Sequence, residues 1–139
     1  MGRIMAVDFG DVRTGIAVSD LSKTLVGEAF VIKEPRMDRA AERIFNEAVQ
    51  RGAEKIILGY PKNMNGTLGE RAEKSERLRD KLALLGAPEV ILWDERRTTV
   101  DAHRILSESG RNGKKRKETV DAVAATLILE GYLNSLRLL

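Results

Sequence analysis

At 139 residues the chain is long enough to close one hydrophobic core without covalent staples, and 42% apolar with 32% charged residues describes a folded chain. The absence of cysteine removes disulfides, thiolate metal sites and cysteine nucleophiles, and a single histidine, His103, leaves no histidine-rich centre, so any metal must be held by oxygen. The net charge of +3 fits a polyanionic partner without demanding one, while the absence of a bilayer-length apolar run or a secretory signal in residues 1–8 predicts a single cytoplasmic domain over 1–139 with no membrane partner.

In chain order, Arg3 to Phe9 is a short apolar run closed by Gly10, the pattern of a strand buried on both faces, with Asp8 at its far end. A second strand, Thr14 to Ser19, follows the tight turn Gly10-Asp11-Val12, and a third, Leu25 to Ile32, follows Ser22-Lys23. Connections this short predict an antiparallel meander. After Pro35 the period changes: Met37, Ala40, Ala41, Ile44, Phe45, Ala48 and Val49 mark one face of a helix that Gly52 ends. Ile56 to Gly59 is a buried strand, Tyr60 to Gly69 a loop, and Glu70 to Leu85 a second helix whose apolar face is Leu78, Leu82 and Leu85. Gly86 ends that helix before the strand Glu89 to Trp93. Thr98 or Thr99 can cap a further helix to Glu108. Arg111, Lys114, Lys115, Arg116 and Lys117, with Gly110 and Gly113, read as a flexible basic loop, and a last helix runs from Thr119 to about Leu136. The order predicts an α/β fold with a mixed sheet, a three-strand meander followed by crossover units.

Three acids stand where the chain makes carboxylates expensive or directs them inward. Asp8 ends an apolar strand, where an ionised carboxylate loses water and needs a partner or a metal; a structural role bonding the Gly10 turn is as good a reading of that aspartate taken alone. Asp94 and Glu95 end the last strand, and because successive side chains alternate, only one of them can join Asp8. Asp121 lies in the first turn of the expected last helix, where the macrodipole alone favours an acid, yet Ala124, Ala125 and Ile128 follow at spacings that share its helical face and turn that face toward the core. Asp11 and Asp20, in turns, read as structural. Carboxylates at two strand ends and one helix start can converge on a hard divalent cation such as Mg²⁺, the arrangement that supports in-line phosphoryl displacement. Donors for phosphate lie around these acids in the sequence: Arg13, Lys62, Asn63, Asn65, Arg71, Arg96 and the basic stretch Lys114, Lys115, Arg116 and Lys117. Little aromatic residue is interleaved among them, so backbone gripping is expected rather than base stacking; Phe9 and Trp93 read as core, and His103 as a surface or capping residue.

The motif Asp8-Phe-Gly-Asp-Val-Arg-Thr-Gly-Ile-Ala-Val-Ser-Asp20 resembles the opening motif of the YqgF family, also called RuvX, of Holliday junction resolvases and pre-16S ribosomal RNA nucleases. Gly59-Tyr-Pro-Lys-Asn-Met-Asn-Gly-Thr-Leu-Gly69, Trp93-Asp-Glu-Arg-Arg-Thr-Thr99 and Val120-Asp-Ala-Val-Ala-Ala-Thr-Leu-Ile-Leu129 resemble its remaining motifs, in order and over nearly the whole chain. The resemblance implies a ribonuclease H-like fold with a five-stranded mixed sheet, Mg²⁺ or Mn²⁺ dependence, and catalytic, metal-holding acids at Asp8, Glu95 and Asp121; on that ground Glu95 is taken over Asp94. Arg97 departs from the family, where an apolar residue is expected.

These readings predict a nuclease acting on structured nucleic acid. The resemblance favours the 5′ end of precursor 16S rRNA, in contact with the ribosome or its precursor, over four-way DNA. A junction resolvase is expected to be a two-fold dimer, whereas RNA trimming needs only a monomer, so a monomer or weak homodimer is anticipated. Two other classes compete: a non-catalytic rRNA-binding assembly factor whose acids only hold the fold, and a relative of the actin-like ATPases, a fold that generally needs two such halves where this chain has room for one.

Overall fold

A computed structural model describes residues 2–61, 69–94 and 113–137, with the backbone alone for 113–121 and 137. The described strands are β1 (Arg3–Asp8), β2 (Arg13–Ser19), β3 (Val26–Lys33), β4 (Ala53–Tyr60) and β5 (Glu89–Asp94); the described helices are α1 (Met37–Arg51), α2 (Glu70–Leu85) and α3 (Gly113–Arg137). They form one mixed sheet in the order β3-β2-β1-β4-β5. The meander is antiparallel, β1 against β2 and β2 against β3, and the crossovers make β4 parallel to both β1 and β5. Helix formation over 98–108, expected from its capping threonines, lies outside the described residues.

Strand alternation sorts the core into two layers. Met5, Val7, Ile16, Val18, Ile56 and Leu58 face α1 and α2, where they meet Ala41, Ile44, Ala48, Leu78 and Leu82. Ile4, Ala6, Ala17 and Ile57 face α3 and meet Ala125, Ile128, Leu129 and Leu133. The central strands are buried on both sides and therefore read as continuous apolar runs, whereas β3 is an edge strand with Gly27, Glu28 and Ala29 exposed. Gly52 and Gly86 end α1 and α2 in the left-handed conformation, with φ of 66° and 90°, a conformation that a side chain disfavours.

Three sequence expectations need correction. Val49 is 62% exposed, because α1 buries Ala40, Ala41, Ile44 and Ala48 and the next position round the helix from Ala48 turns outward. Leu85 is 38% exposed, bordering an open hollow between α1 and α2 that Asp38 and Lys81 also line, and α2 is seated instead by Ala72, Ser75, Leu78 and Leu82. The stretch Lys114 to Lys117 is not a loop but the opening of α3, which begins at Gly113 rather than Thr119. Lysine, arginine and glutamate are good helix formers, and that propensity outweighs the flanking glycines and the like charge.

Candidate active site at the carboxyl edge of the sheet

β1, β4 and β5 are parallel, so their carboxyl ends lie along one edge of the sheet, the edge at which open α/β sheets collect ligands. Asp8 is the last residue of β1 and is half-buried. Counting from Ile4 and Ala6, alternation puts it on the α3 face. Its cross-strand partner on β2 is Gly15. On β4 the registered pair Val7 and Leu58 is followed by Asp8 and Gly59, and Gly59 in turn pairs with Trp93 of β5. A row therefore crosses the α3 face as Gly15, Asp8, Gly59, Trp93, in which the carboxylate has no side chain on either neighbour. Glycine on both neighbouring strands is the pattern of a place where a ligand or another backbone approaches closely.

Trp93 closes the far end of the row. Its ring meets Tyr132 of α3 edge to face at 5.7 Å between centroids, and Gly131 passes close enough that a Cβ there would lie 3.5 Å from the indole. Trp93 is thus partly buried packing, as the sequence reading expects. The same alternation gives the face of Asp94 at the end of β5. Ile91 and Trp93 face α3, so Asp94 faces the α1 and α2 side, away from Asp8; Glu95, the next residue, lies outside the described residues.

Position 121 belongs to α3. At the other end of that helix Leu133 and Asn134 line a small cavity together with Thr24, Leu25 and Val26 of the β2–β3 hairpin. That hairpin sits at the amino end of β1, where Ser19 Oγ accepts the Ile4 N–H at 2.9 Å. Because α3 lies along β1 and β2, its rise of about 18 Å from residue 133 back to 121 matches the roughly 17 Å advance of β1. Backbone position 121 is thereby returned to the edge that carries Asp8, three, four and seven residues before the buried Ala124, Ala125 and Ile128. Of the three acids only Asp8 has a described side chain, and among the described residues no three His, Cys, Asp or Glu side chains come together as a metal centre.

Two of the expected phosphate donors have described side chains. Arg13 opens β2 on the α3 face, beyond Asp8, and its Nε–H is buried without a hydrogen-bond partner. Arg71, in the first turn of α2, donates from Nη2 to the Phe9 carbonyl at 3.1 Å, on the residue after Asp8. Lys62, Asn63, Asn65, Arg96 and His103 lie outside the described residues, and Lys114, Lys115, Arg116 and Lys117 are placed only as the first turns of α3.

One residue of this edge went unread in the sequence. Lys74 of α2 bonds Asp11 at 2.9 Å, and this bond holds the Asp11 carboxyl below its ordinary range and raises the lysine above its own. Its signal was its spacing of three from Arg71, which puts both on one helical face. Asp20, by contrast, takes the turn role expected of it, accepting the backbone N–H groups of Thr24 and Leu25.

A family model described as RuvX, Holliday junction resolvase, matches residues 2–135. A protein of Ruminiclostridium cellulolyticum is 41% identical over 133 residues, covering 95% of this chain and 94% of its own. One of Halothermothrix orenii is 46% identical over 134 residues, with 95% and 94% covered. Both carry the name "Putative pre-16S rRNA nuclease". Among solved structures, Thermus thermophilus RuvC in complex with Holliday junction substrate aligns with a TM-score of 0.59 at 14% identity, covering 99% of this chain and 96% of its own. The fowlpox virus resolvase with Holliday junction DNA aligns at 0.60 and 12%, covering 96% and 98%; likeness at such identity concerns the fold. Sheet order, family match and relatives together define the class, a nuclease of ribonuclease H-like fold. Within it, the chain belongs to the RuvX family.

Proposed function

We propose that this chain is a metal-dependent endonuclease, working as one domain over 1–139, that cleaves structured nucleic acid and trims the 5′ end of precursor 16S rRNA in the cytoplasm. The observation that carries the reading is the row Gly15, Asp8, Gly59, Trp93: a half-buried carboxylate between two glycine positions at the carboxyl ends of the strands, on the face that α3 covers. Asp8, Glu95 and Asp121 are the candidate ligands for Mg²⁺ or Mn²⁺. The donors fit such an ion, since oxygen is the only hard ligand set that a chain without cysteine and with one histidine offers here. Bound ions supply Lewis-acid stabilisation of the charge that develops on the transferring phosphoryl group. In the net reaction a water oxygen bonds to phosphorus, the bond to the leaving nucleoside oxygen breaks, and the proton lost by water balances the one that oxygen gains.

The chain's own residues bind and orient. Arg13 is suited to a non-bridging phosphate oxygen, because its buried Nε–H has no partner of its own and an anion satisfies it. Lys62, Asn65, Arg96 and the basic opening of α3 are candidate contacts to the backbone on either side, whereas Arg71, expected in the sequence to join them, is bonded to the Phe9 carbonyl. The RNA reading is supported by the name that the relatives carry. A side-by-side cleavage assay on a precursor 16S rRNA fragment and a four-way DNA junction tests it. Preferential cleavage of the RNA at its 5′ side is expected, and preference for the junction overturns it in favour of a resolvase. In the same assay Asp8→Asn, Glu95→Gln and Asp121→Asn are each expected to lower the rate by at least about a hundredfold, with affinity little changed. Near-wild-type cleavage by the Asp8 and Asp121 variants would refute the carboxylate site.

A further inference from the structure

The turn between Asp8 and Arg13 is held from outside itself. Gly10 folds back so tightly that a Cβ there would stand 2.2 Å from the Arg13 carbonyl oxygen. The Val12 carbonyl accepts the Glu34 N–H at 2.7 Å, where β3 leaves the sheet. The remaining two attachments come from the first turns of α2: Arg71 to the Phe9 carbonyl and Lys74 to the Asp11 carboxylate. Two residues past Lys74, Glu76 accepts the Tyr60 hydroxyl at 3.2 Å, at the carboxyl end of β4. Three side chains on α2 therefore reach the exits of the two neighbouring strands that carry Asp8 and Gly59, while Ala72 and Ser75, on the same stretch, are fully seated against the sheet.

We propose that the opening of α2 is a positioning latch for the cleavage site, with Arg71 and Lys74 as positioning residues that fix the Phe9–Val12 turn and through it the placement of Asp8 and Arg13. The proposal rests on the nuclease reading above and assigns Arg71 a task different from gripping phosphate. Physically, the bond to the Phe9 carbonyl fixes the orientation of the Phe9–Gly10 peptide, one residue beyond Asp8, so losing it loosens the carboxylate end of β1. Exposed ion pairs and side-chain bonds of this kind add little to folding stability. Small misplacements of reacting groups are nevertheless costly in rate, because catalysis needs near-attack geometry held to a fraction of an ångström. A latch of this kind leaves the fold standing and slows the chemical step.

The test uses the full chain and four variants, Arg71→Ala, Arg71→Lys, Lys74→Asp and the swap Asp11→Lys with Lys74→Asp, alongside Asp8→Asn. Single-turnover cleavage at saturating protein, nucleic-acid affinity across a salt series, Mn²⁺ affinity by titration, melting temperature and amide hydrogen exchange over residues 9–13 are measured. Expected are a rate loss of at least about tenfold for Arg71→Ala and for Lys74→Asp, partial rescue by Arg71→Lys, and restoration to within about threefold by the swap. Exchange over 9–13 rises and Mn²⁺ affinity falls in the unlatched variants, while affinity for nucleic acid and its salt slope stay as in wild type. A fall in affinity with a shallower salt slope for Arg71→Ala overturns the latch and makes Arg71 a phosphate contact. Lower melting temperature with unchanged rate and metal affinity overturns it as ordinary surface packing, and so does a swap that fails to recover exchange protection. If Asp8→Asn cleaves normally, the carboxylate reading fails, while hydrogen exchange and the charge swap still decide the latch.

Discussion

Thr14 shows how closely two different burial problems sit at this edge. Its side chain is 1% exposed and its Oγ1 has no hydrogen-bond partner, yet alternation puts it on the α1 and α2 face, away from Asp8. An unpaired buried hydroxyl is a net cost with no task on that face. Thr14→Val is therefore expected to raise stability by about 1 kcal/mol with cleavage unchanged, and a clear drop in melting temperature would show that the hydroxyl has a partner. Arg13, one residue earlier and on the other face, carries the same kind of unsatisfied donor, but there an arriving phosphate can satisfy it. The sequence places both residues in one motif; which face each occupies follows from the pleat once the register Asp8 to Gly15 is set.

At the scale of elements, α3 opens against its own dipole. Its first turn contains no acid, and Lys114, Lys115, Arg116 and Lys117 crowd the end where backbone N–H groups already concentrate positive charge. Such an end is stabilised by a bound anion. Replacing the four by Ala is expected to weaken binding to RNA and DNA alike and to flatten the dependence of log affinity on log salt, with no loss of melting temperature. An unchanged slope would show that these residues leave phosphate alone.

The edge strand is tied differently. Arg51 of α1 grips Glu28 of β3 through Nε and Nη2 at 3.0 and 2.9 Å and lies 4.6 Å over the Phe30 ring. The hydrogen bond from Arg51 holds the Glu28 carboxyl below its ordinary value. A carboxyl whose folded pKa is depressed contributes stability above its unfolded pKa, about 4.3, and loses it as pH falls through the lower folded value. Half-exposed as Glu28 is, the pair is worth at most about 1 kcal/mol after screening. Wild type should melt slightly above Glu28→Gln at pH 6, and the gap should close on acidification; a gap independent of pH would assign the effect to packing.

For the whole molecule, the proposed carboxylate site would set function against stability. If Asp8, Glu95 and Asp121 converge, then without a cation they repel one another and lose water, so a cation that binds only the folded site should raise the melting temperature. Mg²⁺ or Mn²⁺ at matched ionic strength is expected to do so for wild type, and Asp121→Asn should shrink the rise while melting in chelator no lower than wild type. If Asp121 only supported its helix, the variant would melt lower by roughly 0.5–2 kcal/mol of stability with or without metal. The two outcomes differ in sign in chelator alone.

Much of this architecture is determined by the sequence on its own, because strand alternation, helical period and the closing glycines Gly52 and Gly86 are local signals whose physics acts within a few residues. The meander, the crossovers and the placing of Asp8 at a strand end follow from such signals, while Glu95 and Asp121 are proposed among many acids by resemblance to the family motifs. Tertiary structure alone decided what depends on residues distant in the chain. The glycines flanking Asp8 come from β2 and β4, so they become its neighbours only once the register joins the strands. The bonds from Arg71 and Lys74 to the turn after Asp8 span more than sixty positions, and no local pattern specifies a side chain's partner at that separation. The outward turn of Val49 and Leu85 and the early start of α3 belong to the same group, since what covers a helical face, and whether like charges tolerate a helix, is settled by the surface it packs on.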